Sequence, residues 1–565
     1  MTATGEYLVE VLADAGIEHV IGVPGGGTRM TYTAMHGRKG GPRPVLARHE
    51  QGAAVMADAY ARATGRPAVI MGQGAFIVAN GAFGLMEALT SSSPVILVGD
   101  FSDAGLTPRP VAQSVTGDWG SPDAVAMLRG MTKYTAVAST PAEAVVGLQL
   151  AIKHAVSGCP GPTALMIKSA ALSAEFAEDP GPPVYLAGND PRLSLPLPPA
   201  GQVERALEIL SEARNPVIVA GKGVHNAFAH GELRTLAERW GMPVATTYKG
   251  KSAIPETHPL ALGMVGIYGH PVANELVRQA DVVLVVGAKL RSKDTSNWSV
   301  VHRQQRIIQI DIEALNAGWA LPAEVTLIGD ARTALEQILA GSDRFAAPSD
   351  LLEARKARVR DVVSADTFHR DPSLYDDTTP VLPQRVARVL EEHLHPSTNI
   401  SLDAGNNRVW MGLFCRAQRT HSLFAPGGLS GMGWAMPAAL GVKLARPEEP
   451  SVAVTGDGGF MMSAHALATA ADLPTVTVVF NDSGLGMVRQ HQGDRVIASS
   501  FPDVDHAAIA RGFGLAGFRV THGKDLPEAI RAAQSLGTAA VIDVVIDDGP
   551  SPDVYRTQAV SATET

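Results

Sequence analysis

The sequence has little cysteine. Its 565 residues include only Cys159 and Cys415, which are far apart and have no neighbouring ligand partners. A disulfide framework or a zinc site is therefore not expected, and this cysteine usage fits a reducing cytoplasm best.

An excess of basic residues is also missing. The 47 Lys and Arg residues are outnumbered by 56 Asp and Glu residues, which gives a formal charge of −9. This balance argues against a nucleic-acid surface but leaves room for a local cationic pocket that binds a phosphate-bearing ligand. The sequence shows no apolar run as long as a membrane span and no secretory signal at its amino terminus. Together these absences predict a soluble cytoplasmic protein.

What the sequence does contain is an alternation of short apolar runs with helix-length, often Ala-rich segments. The runs at 19–23, 67–71 and 94–98 are continuously apolar, which is typical of parallel strands covered by helices on both faces. The length is too great for a single hydrophobic core. We therefore predict an α/β protein with several doubly wound parallel sheets.

Two stretches interrupt this alternation and divide the chain into three α/β domains. The stretch at 175–202 contains Pro-Gly-Pro-Pro and Leu-Pro-Leu-Pro-Pro and is typical of an extended linker. The stretch at 341–383 is charged and then punctuated by proline. After the third domain comes a polar tail, which is either disordered or folds over a site as a lid. The expected ranges are 1–175, 190–342, 375–548 and, for the tail, 549–565.

A phosphate-binding pattern lies in the third domain. The apolar run at 451–455 leads directly into Gly456, Asp457, Gly458 and Gly459, and a helical segment follows. A strand, a glycine turn and a helix start together present backbone N–H groups to an anion. Bound phosphate would repel the Asp457 carboxylate unless a divalent cation lay between them, and Mg²⁺ prefers carboxylate and phosphate oxygens.

A second polar strand end follows at a suitable spacing. The next apolar strand ends in Asn481 and Asp482, with Gly484 close behind. Parallel strands joined by a helix place their carboxyl ends side by side, so Asp482 can share a cation with Asp457. The alternative is an ordinary glycine turn beside an unrelated polar strand end.

Gly456-Asp-Gly followed by Asn481-Asp482 resembles the motif of thiamine-diphosphate enzymes, a Gly-Asp-Gly that ends at an Asn-Asn pair. The resemblance implies that Asp457, the side chain at 482 and the Gly484 carbonyl hold Mg²⁺ against the diphosphate. The chain departs from the motif at 482, where Asp keeps an oxygen ligand but adds negative charge. Further cofactor contacts implied by this segment are Gly456, Gly458, Gly459, Leu485, Gly486 and Met487.

A candidate catalytic carboxylate lies in the first domain. Glu50 opens an Ala-rich helix within Arg-His-Glu-Gln-Gly-Ala. On the residues alone, a first-turn Glu that complements the helix dipole is an equally good interpretation. The segment resembles the one in which the Glu of thiamine-diphosphate enzymes hydrogen-bonds the aminopyrimidine ring and activates the cofactor. The resemblance therefore implies that Glu50 is catalytic.

The resemblance covers nearly the whole chain and is closest to the acetolactate-synthase-like branch of the family. It implies that Gly25 belongs to a cofactor-contacting turn and that Asn406 and Asn407 help to hold the diphosphate. In the turn at 428–433, it implies that Met432 wedges between the two cofactor rings and that the Ser430 carbonyl accepts from the aminopyrimidine amine. Taken alone, Met432 would more often be core filler.

Three departures from the branch fall on positions that would form the substrate wall. Lys289 replaces an Arg, His491 replaces a Trp, and the loop at 72–77 differs. Lys is a poorer bidentate carboxylate clamp than Arg. These departures weigh against a housekeeping acetolactate synthase and against the FAD that many of those enzymes carry. Gln113 and His491 are candidate catalytic residues, as proton carriers or substrate contacts, and the candidate substrate contacts are Gly26, Phe76, Lys289 and Arg291.

Three functions remain open. The leading one is a thiamine-diphosphate- and Mg²⁺-dependent lyase or carboligase acting on a 2-oxoacid. The cations at 289–293 could instead receive a CoA nucleotide, as in 2-hydroxyacyl-CoA lyase or oxalyl-CoA decarboxylase, although a solvated loop also explains them. A non-catalytic scaffold with this fold is the third. The resemblance further implies a homodimer or homotetramer with sites between subunits.

Overall fold

The computed structural model describes residues 3–103, 111–176 and 195–556. These residues form three six-stranded sheets in which all paired strands run parallel. The prediction of an α/β chain with three parallel sheets is therefore confirmed. By their contacts, the described parts of residues 1–194, 426–448 and 462–475 form one compact unit, and those of 195–425, 449–461 and 476–565 form a second.

The first sheet belongs to the first unit, and its strand order is β2-β1-β3-β4-β6-β5. Its strands are β1 (His19–Val23), β2 (Arg43–Leu46), β3 (Ala68–Gly72), β4 (Val95–Asp100), β5 (Tyr134–Ala138) and β6 (Thr163–Ile167). The helices are α1 (Thr4–Asp14), α2 (Arg29–Ala34), α3 (Glu50–Thr64), α4 (Gly74–Ser91), α5 (Ala124–Arg129), α6 (Pro141–Val156) and α7 (Ser169–Ser173). Strands β3, β4 and β6 are buried at every residue, which explains their unbroken apolar sequences.

The second sheet has the order β12-β11-β10-β7-β8-β9. Its strands are β7 (Pro216–Ala220), β8 (Val244–Thr246), β9 (Ala261–Met264), β10 (Val282–Val286), β11 (Arg306–Asp311) and β12 (Val325–Ile328). The helices are α8 (Ala200–Glu212), α9 (Lys222–Asn226), α10 (His230–Trp240), α11 (Pro271–Arg278), α12 (Ser292–Thr295), α13 (Ala331–Gly341) and α14 (Ser349–Ala365).

Helix α14 corrects one sequence expectation. It lies in the stretch at 341–383, which was interpreted as a break between domains, but it packs on the helices of the second sheet. The buried Arg355 guanidinium donates to the carbonyls of Trp240 (3.1 Å) and Leu210 (3.0 Å), and Val359 joins the core. The sequence did not indicate a packed helix here, because Arg355 and Val359 are its only buried residues. Most of the other predicted linker, 175–202, lies outside the described residues.

The third sheet has the order β14-β13-β15-β16-β18-β17. Its strands are β13 (Asn399–Leu402), β14 (Leu423–Phe424), β15 (Ser451–Gly456), β16 (Val476–Asn481), β17 (Ala516–Val520) and β18 (Ala540–Val545). The helices of this part of the chain are α15 (Pro383–His393), α16 (Asn406–Phe414), α17 (Ala435–Ala445), α18 (Asp457–Ser463), α19 (Ala466–Ala470), α20 (Gly486–Gln492), α21 (His506–Gly512) and α22 (Leu526–Ser535). Helices α17 and α19 belong to the first unit by their contacts. Within the described ranges, no helix is both long and apolar enough to cross a membrane.

Helix α3 is the most enclosed helix of the first unit, because two neighbouring helices approach its backbone directly. A β-carbon added at Gly84 of α4 would lie 2.5 Å from the Ala54 β-carbon and 2.6 Å from its carbonyl carbon. One added at Gly441 of α17 would lie 2.2 Å from the Met56 carbonyl oxygen. Alanines on α3 and glycines on α4 and α17 thus together allow the three helices to approach one another closely.

The first prediction tests this close packing. Replacing Gly84 with Ala should lower the thermal-unfolding midpoint, because the added methyl group must push against the α3 backbone at a cost of about 1–3 kcal/mol. Gly201→Ala is the matched control, since Gly201 is also helical but a β-carbon there meets nothing within 4 Å. Equal midpoints for the two variants would show that the α3–α4 contact is not this tight.

Candidate active site

Asp457 lies where the third sheet presents its strand ends. Strand β15 ends at Gly456, and α18 begins at Asp457, whose side chain is only 2% exposed. Its Oδ1 accepts from the Gly458 N–H (2.7 Å) and its Oδ2 from the Gly484 N–H (3.0 Å). Burial raises the pKa of Asp457 above its usual value. Strands β15 and β16 are direct neighbours, so the two halves of the predicted motif meet.

Asp482 follows β16 and forms the second carboxylate of this loop pair. Its Oδ2 accepts from Arg489 Nη2 (2.8 Å), and its carbonyl accepts from Arg489 Nη1 (3.2 Å). Burial, together with the nearby Asp457 carboxylate, raises the pKa of Asp482 to about 7. A β-carbon at Gly486 would lie 2.3 Å from Asp482 Oδ2, so any larger residue there would displace the carboxylate. Two poorly solvated carboxylates of like charge favour a cation between them.

The start of α16 borders the same strand ends. Asn406 Nδ2 donates to Gln490 Oε1 (2.9 Å), while Asn406 Oδ1 is buried and has no hydrogen-bond partner within the described part of the chain. A buried polar atom left unpaired costs about 1–3 kcal/mol, so a ligand or its water that donated to Asn406 would be stabilised. Asn407 differs, because its Nδ2 donates to the carbonyls of Asp403 (3.3 Å) and Val454 (3.2 Å) and ties α16 to the sheet.

Helix α20 is packed against the carboxyl-terminal segment of the described chain. Gln490 Nε2 donates to the Pro550 carbonyl (3.0 Å), and Arg489 Nη2 lies 3.4 Å from Asp548 Oδ2. The half-exposed His491 donates through Nδ1 to the Met487 carbonyl (2.6 Å), and its Nε2 lies 3.4 Å from Asp553 Oδ2. The predicted tail thus lies against α20 over the part that is described, and residues 557–565 are outside the described residues.

Glu50 is the first residue of α3, in the first unit. Its side chain is buried, with 9% exposure, and its Oε2 accepts from Asn80 Nδ2 of α4 (2.9 Å). The preceding His49 caps the helix by accepting the Gln51 N–H at its Nδ1 (3.1 Å). Asn80 therefore orients the carboxylate, and no feature of the sequence singled it out.

Asp100 organises two glycine-containing segments of the first unit. Its buried carboxylate accepts the Gly27 N–H (2.8 Å) and the Gly74 N–H (2.9 Å), so the turn after β1 and the start of α4 are held at the end of β4. Gly26 has φ +53°, and a β-carbon on it would lie 2.5 Å from Asp100 Oδ2. The predicted Gly25 and Gly26 thus belong to a turn that this aspartate fixes. An Asp that ends an apolar strand could have indicated it.

Two of the predicted substrate-wall residues line one cavity of the first unit. The cavity has a volume of about 550 Å³, and its largely apolar wall includes Phe76, Gln113 and Trp119. Gln113 accepts at Oε1 from Gln73 Nε2 (2.6 Å) and has φ +66°. The loop that distinguishes this chain at 72–77 therefore contributes directly to the cavity.

The turn that contains Ser430 is fixed by a buried carboxylate. The backbone N–H groups of residues 427–430 all donate to Glu87 of α4, at 2.9–3.2 Å. Glu87 also accepts from Arg62 Nη2 (2.9 Å), and Arg62 pairs with Asp58 (2.7 Å) on α3. The Arg62 guanidinium stacks over the Trp434 ring at 4.8 Å. The sequence did not single out any of these side chains.

Met432 lies between two glycines that allow a tight turn. A β-carbon at Gly431 would lie 2.2 Å from the Phe83 ring, and Gly433 has φ +83°. Ser430 itself has φ +59°. The backbone around Met432 is therefore held in one conformation by its neighbours, and the Met432 side chain is partly buried.

Lys289 and Arg291 follow β10 of the second sheet, whereas the phosphate motif follows β15 and β16 of the third. Trp298 Nε1 donates to the Leu290 carbonyl (3.2 Å), which fixes the backbone between the two cations. The two cations and the paired carboxylates thus follow strands of different sheets.

Comparison with known families gives three matches along the chain. Residues 2–118 match the N-terminal thiamine-pyrophosphate-binding domain of thiamine pyrophosphate enzymes, 203–338 match the central domain, and 403–544 match the C-terminal thiamine-pyrophosphate-binding domain. Each match lies inside one of the predicted domain ranges, whose exact limits stay predictions.

Relatives of similar length support the same family assignment. The chain is 31% identical to a probable acetolactate synthase large subunit of Methanocaldococcus jannaschii, over 96% of this chain and 91% of the relative. It is 30% identical to the acetolactate synthase isozyme 3 large subunit of Escherichia coli, over 99% and 97%. It is also 30% identical to the acetolactate synthase large subunit of Corynebacterium glutamicum, over 96% and 86%.

The second prediction concerns Glu87. Replacing it with Gln should destabilise the protein by about 3–5 kcal/mol, because an amide NH₂ would face backbone donors and Arg62 would lose a buried partner. The measurement is the shift of the thermal-unfolding midpoint. Glu10→Gln is the control: Glu10 pairs with Arg38 at 3.2 Å on the surface, where such a pair contributes at most about 1 kcal/mol. A loss for Glu87→Gln no larger than that of the control would contradict the assignment.

Proposed function

Because the chain belongs to the thiamine-diphosphate-dependent, acetolactate-synthase-like family of enzymes, we propose that it makes or breaks a carbon–carbon bond next to the carbonyl of a 2-oxoacid. The observation that supports this best is the pair of carboxylates, buried Asp457 and partly buried Asp482, at the ends of adjacent strands. They bring together an anionic metal-type site and the amino end of a helix, as a metal-bound diphosphate requires.

The residues of the third sheet fit thiamine diphosphate and Mg²⁺. Asp457, the Asp482 side chain and the Gly484 carbonyl supply the oxygen ligands that Mg²⁺ prefers. The backbone N–H groups at 456–459 would hold the diphosphate, and the buried Oδ1 of Asn406 could accept from the bound cofactor or its water. In this proposal Leu485, Gly486 and Met487 border the cofactor, and Asn407 supports the site through the backbone.

Glu50 is proposed to hold a proton for the cofactor. When bound, thiamine diphosphate supplies an electron sink for the negative charge that develops on a carbon next to a carbonyl. Glu50 Oε1 or Oε2 would exchange that proton with a ring nitrogen, and Asn80 would keep Oε2 in position. The turn at 428–433, which Glu87 fixes, would present the Ser430 carbonyl and the Met432 side chain to the rings.

The substrate wall is proposed to differ from that of housekeeping acetolactate synthases. Phe76 and Gln113 line the cavity of the first unit, and His491 stands where the branch has Trp. An imidazole, unlike an indole, can both donate and accept a proton at its ring nitrogens. We therefore expect a carbonyl donor or acceptor that differs in size or polarity from the substrates of those synthases.

A CoA thioester is the second candidate substrate. Burial and the neighbouring Arg408 guanidinium lower the pKa of Lys293, as expected where cations are concentrated. With Lys289 and Arg291, Lys293 would suit the phosphates of a nucleotide. If CoA inhibits turnover of a 2-oxoacid by the wild type but not by Lys289→Ala, this candidate is favoured. If CoA has no effect on the turnover of free 2-oxoacids, this candidate is excluded.

The third prediction tests whether two copies of the chain share each site, as the family resemblance implies. Glu50→Gln should lower turnover about 10²–10⁴-fold, because a proton-transfer group usually accelerates a reaction by that factor. Asp457→Ala should abolish Mg²⁺-dependent uptake of the cofactor. In mixed dimers isolated by two different tags, one of the two shared sites keeps both residues, so about half of the wild-type activity should return.

The assay is hydrogen–deuterium exchange at C2 of bound thiamine diphosphate, which requires no knowledge of the substrate, followed by turnover of 2-oxoacids. Mixed dimers as inactive as both parents would show that Glu50 and Asp457 of one chain serve the same site. Unchanged exchange in Glu50→Gln itself would remove that residue from the mechanism.

The fourth prediction concerns the metal ligands. Asp482→Asn should retain Mg²⁺-dependent uptake, because the amide oxygen is still a ligand, whereas Asp482→Leu should weaken it about 10- to 100-fold. Calorimetric titration of Mg²⁺ in the presence of thiamine diphosphate measures both, with the exposed Asp494→Asn as control. Leu and Asn variants with equal Mg²⁺ affinity would show that residue 482 is not a ligand.

A further inference from the structure

Three histidines form a cluster that the proposed reaction does not use. His225 lies on α9, His230 is the first residue of α10, and His421 lies two residues before β14. One ring nitrogen from each lies within 4.8 Å of the other two. All three belong to the second unit, and the second and third sheets both contribute to the cluster.

The hydrogen bonds of His225 fix which of its nitrogens can bind a ligand. Its Nε2 lies 3.1 Å from the Lys251 carbonyl oxygen, which can only accept, so Nε2 bears the hydrogen. The unprotonated Nδ1 faces His230 Nε2 at 2.9 Å. Metal-ligating histidines commonly donate their other ring N–H to a backbone carbonyl in this way, which fixes the tautomer and the ring orientation.

The rings lie in a largely buried, aromatic environment. His225 and His421 are 4% and 6% exposed, and His230 is the partly exposed member. The His421 ring stacks on those of His225 (4.9 Å between centroids) and His230 (5.3 Å), with the Phe228 ring edge-on beside them. An ion can therefore enter past His230, while the other two rings are held by packing.

We propose that His225, His230 and His421 bind one divalent transition-metal ion of the Zn²⁺, Ni²⁺ or Cu²⁺ type. Imidazole suits these metals, and three imidazoles with an open fourth position form a known zinc arrangement. Ligand nitrogens at about 2.0–2.1 Å from a tetrahedral metal lie about 3.3 Å apart, so the rings must approach one another by side-chain rotation. His230 shifts its hydrogen from Nε2 to Nδ1, and all three rings remain neutral.

The backbone contacts around His421 indicate what the ion would do. The His421 N–H donates to the Ser252 carbonyl (2.9 Å), and Ser252 Oγ accepts from the N–H groups of Ser422 (3.3 Å) and Leu423 (3.2 Å). The segment leading into β14 is thus already docked on the segment that follows β8. A metal bound by His421 and by His225, whose Nε2 donates to the Lys251 carbonyl in the segment after β8, would stabilise this junction, since an ion that binds only the folded state raises its stability.

The experiment uses the full-length enzyme, stripped with a chelator and then saturated with Mg²⁺ and thiamine diphosphate so that the oxygen-ligand site is filled. Co²⁺ is titrated while its visible absorption is followed, and Zn²⁺ is then added as a competitor. The wild type should bind one Co²⁺ per chain with the intense bands of a four-coordinate site, and Zn²⁺ should displace it and raise the thermal-unfolding midpoint.

His230→Gln is the main variant, because the side chain is partly exposed and the change should leave the fold intact; His421→Asn is the second. Both should weaken Co²⁺ binding at least about tenfold and remove the Zn²⁺-dependent rise of the midpoint. His522→Gln, a half-exposed histidine of the same unit, is the control and should bind as the wild type does. No Co²⁺ uptake by the wild type, or equal uptake by His230→Gln and the control, would overturn the proposal.

Discussion

The carboxylate of Glu87 is the interaction on which the candidate site of the first unit depends. It accepts four consecutive backbone N–H groups from 427–430 and pairs with Arg62 on α3. One side chain thus joins α3, α4 and the turn that contains Ser430. Glu50 begins that same α3, and Asn80, which orients it, lies on the same α4. A single buried anion therefore sets the positions of several groups that belong to different parts of the sequence.

Buried carboxylates have the same task elsewhere, with one informative difference. Asp100 accepts the N–H groups of Gly27 and Gly74, as Glu87 accepts those of its turn, because glycine-rich loops present more donors than a sheet or helix can satisfy. Asp457 also accepts two backbone N–H groups, but a second carboxylate lies nearby. The charge of Asp457, together with burial, raises the pKa of this second carboxylate, Asp482. This last arrangement brings two carboxylates to the ends of neighbouring strands, and such a pair favours a cation between them.

The sequence predicts the local part of this architecture well. Continuous apolar runs identified the parallel strands, and the glycine motif identified the turn after β15 that contains Asp457, because both depend on a few consecutive residues. Glu87 and Asn80 could not be found in this way, since their partners lie on other elements of the fold. Helix α14 was missed for a related reason: Arg355 is buried there by hydrogen bonds to distant carbonyls, and a charged residue normally indicates solvent. The histidine cluster likewise exists only once the second and third sheets are folded.

Residue 482 is Asp, whereas the motif that this segment resembles has Asn. This departure from the motif requires a second contact to balance the added charge. An additional carboxylate beside Asp457 would be unfavourable without a counter-charge, and Arg489 supplies it at 2.8 Å. The same guanidinium lies 3.4 Å from Asp548, at the start of the segment that covers α20. A cation between Asp457 and Asp482 would take over part of the charge that Arg489 now balances. If Mg²⁺ binds here as proposed, its binding and the contact between Arg489 and Asp548 would therefore depend on one another.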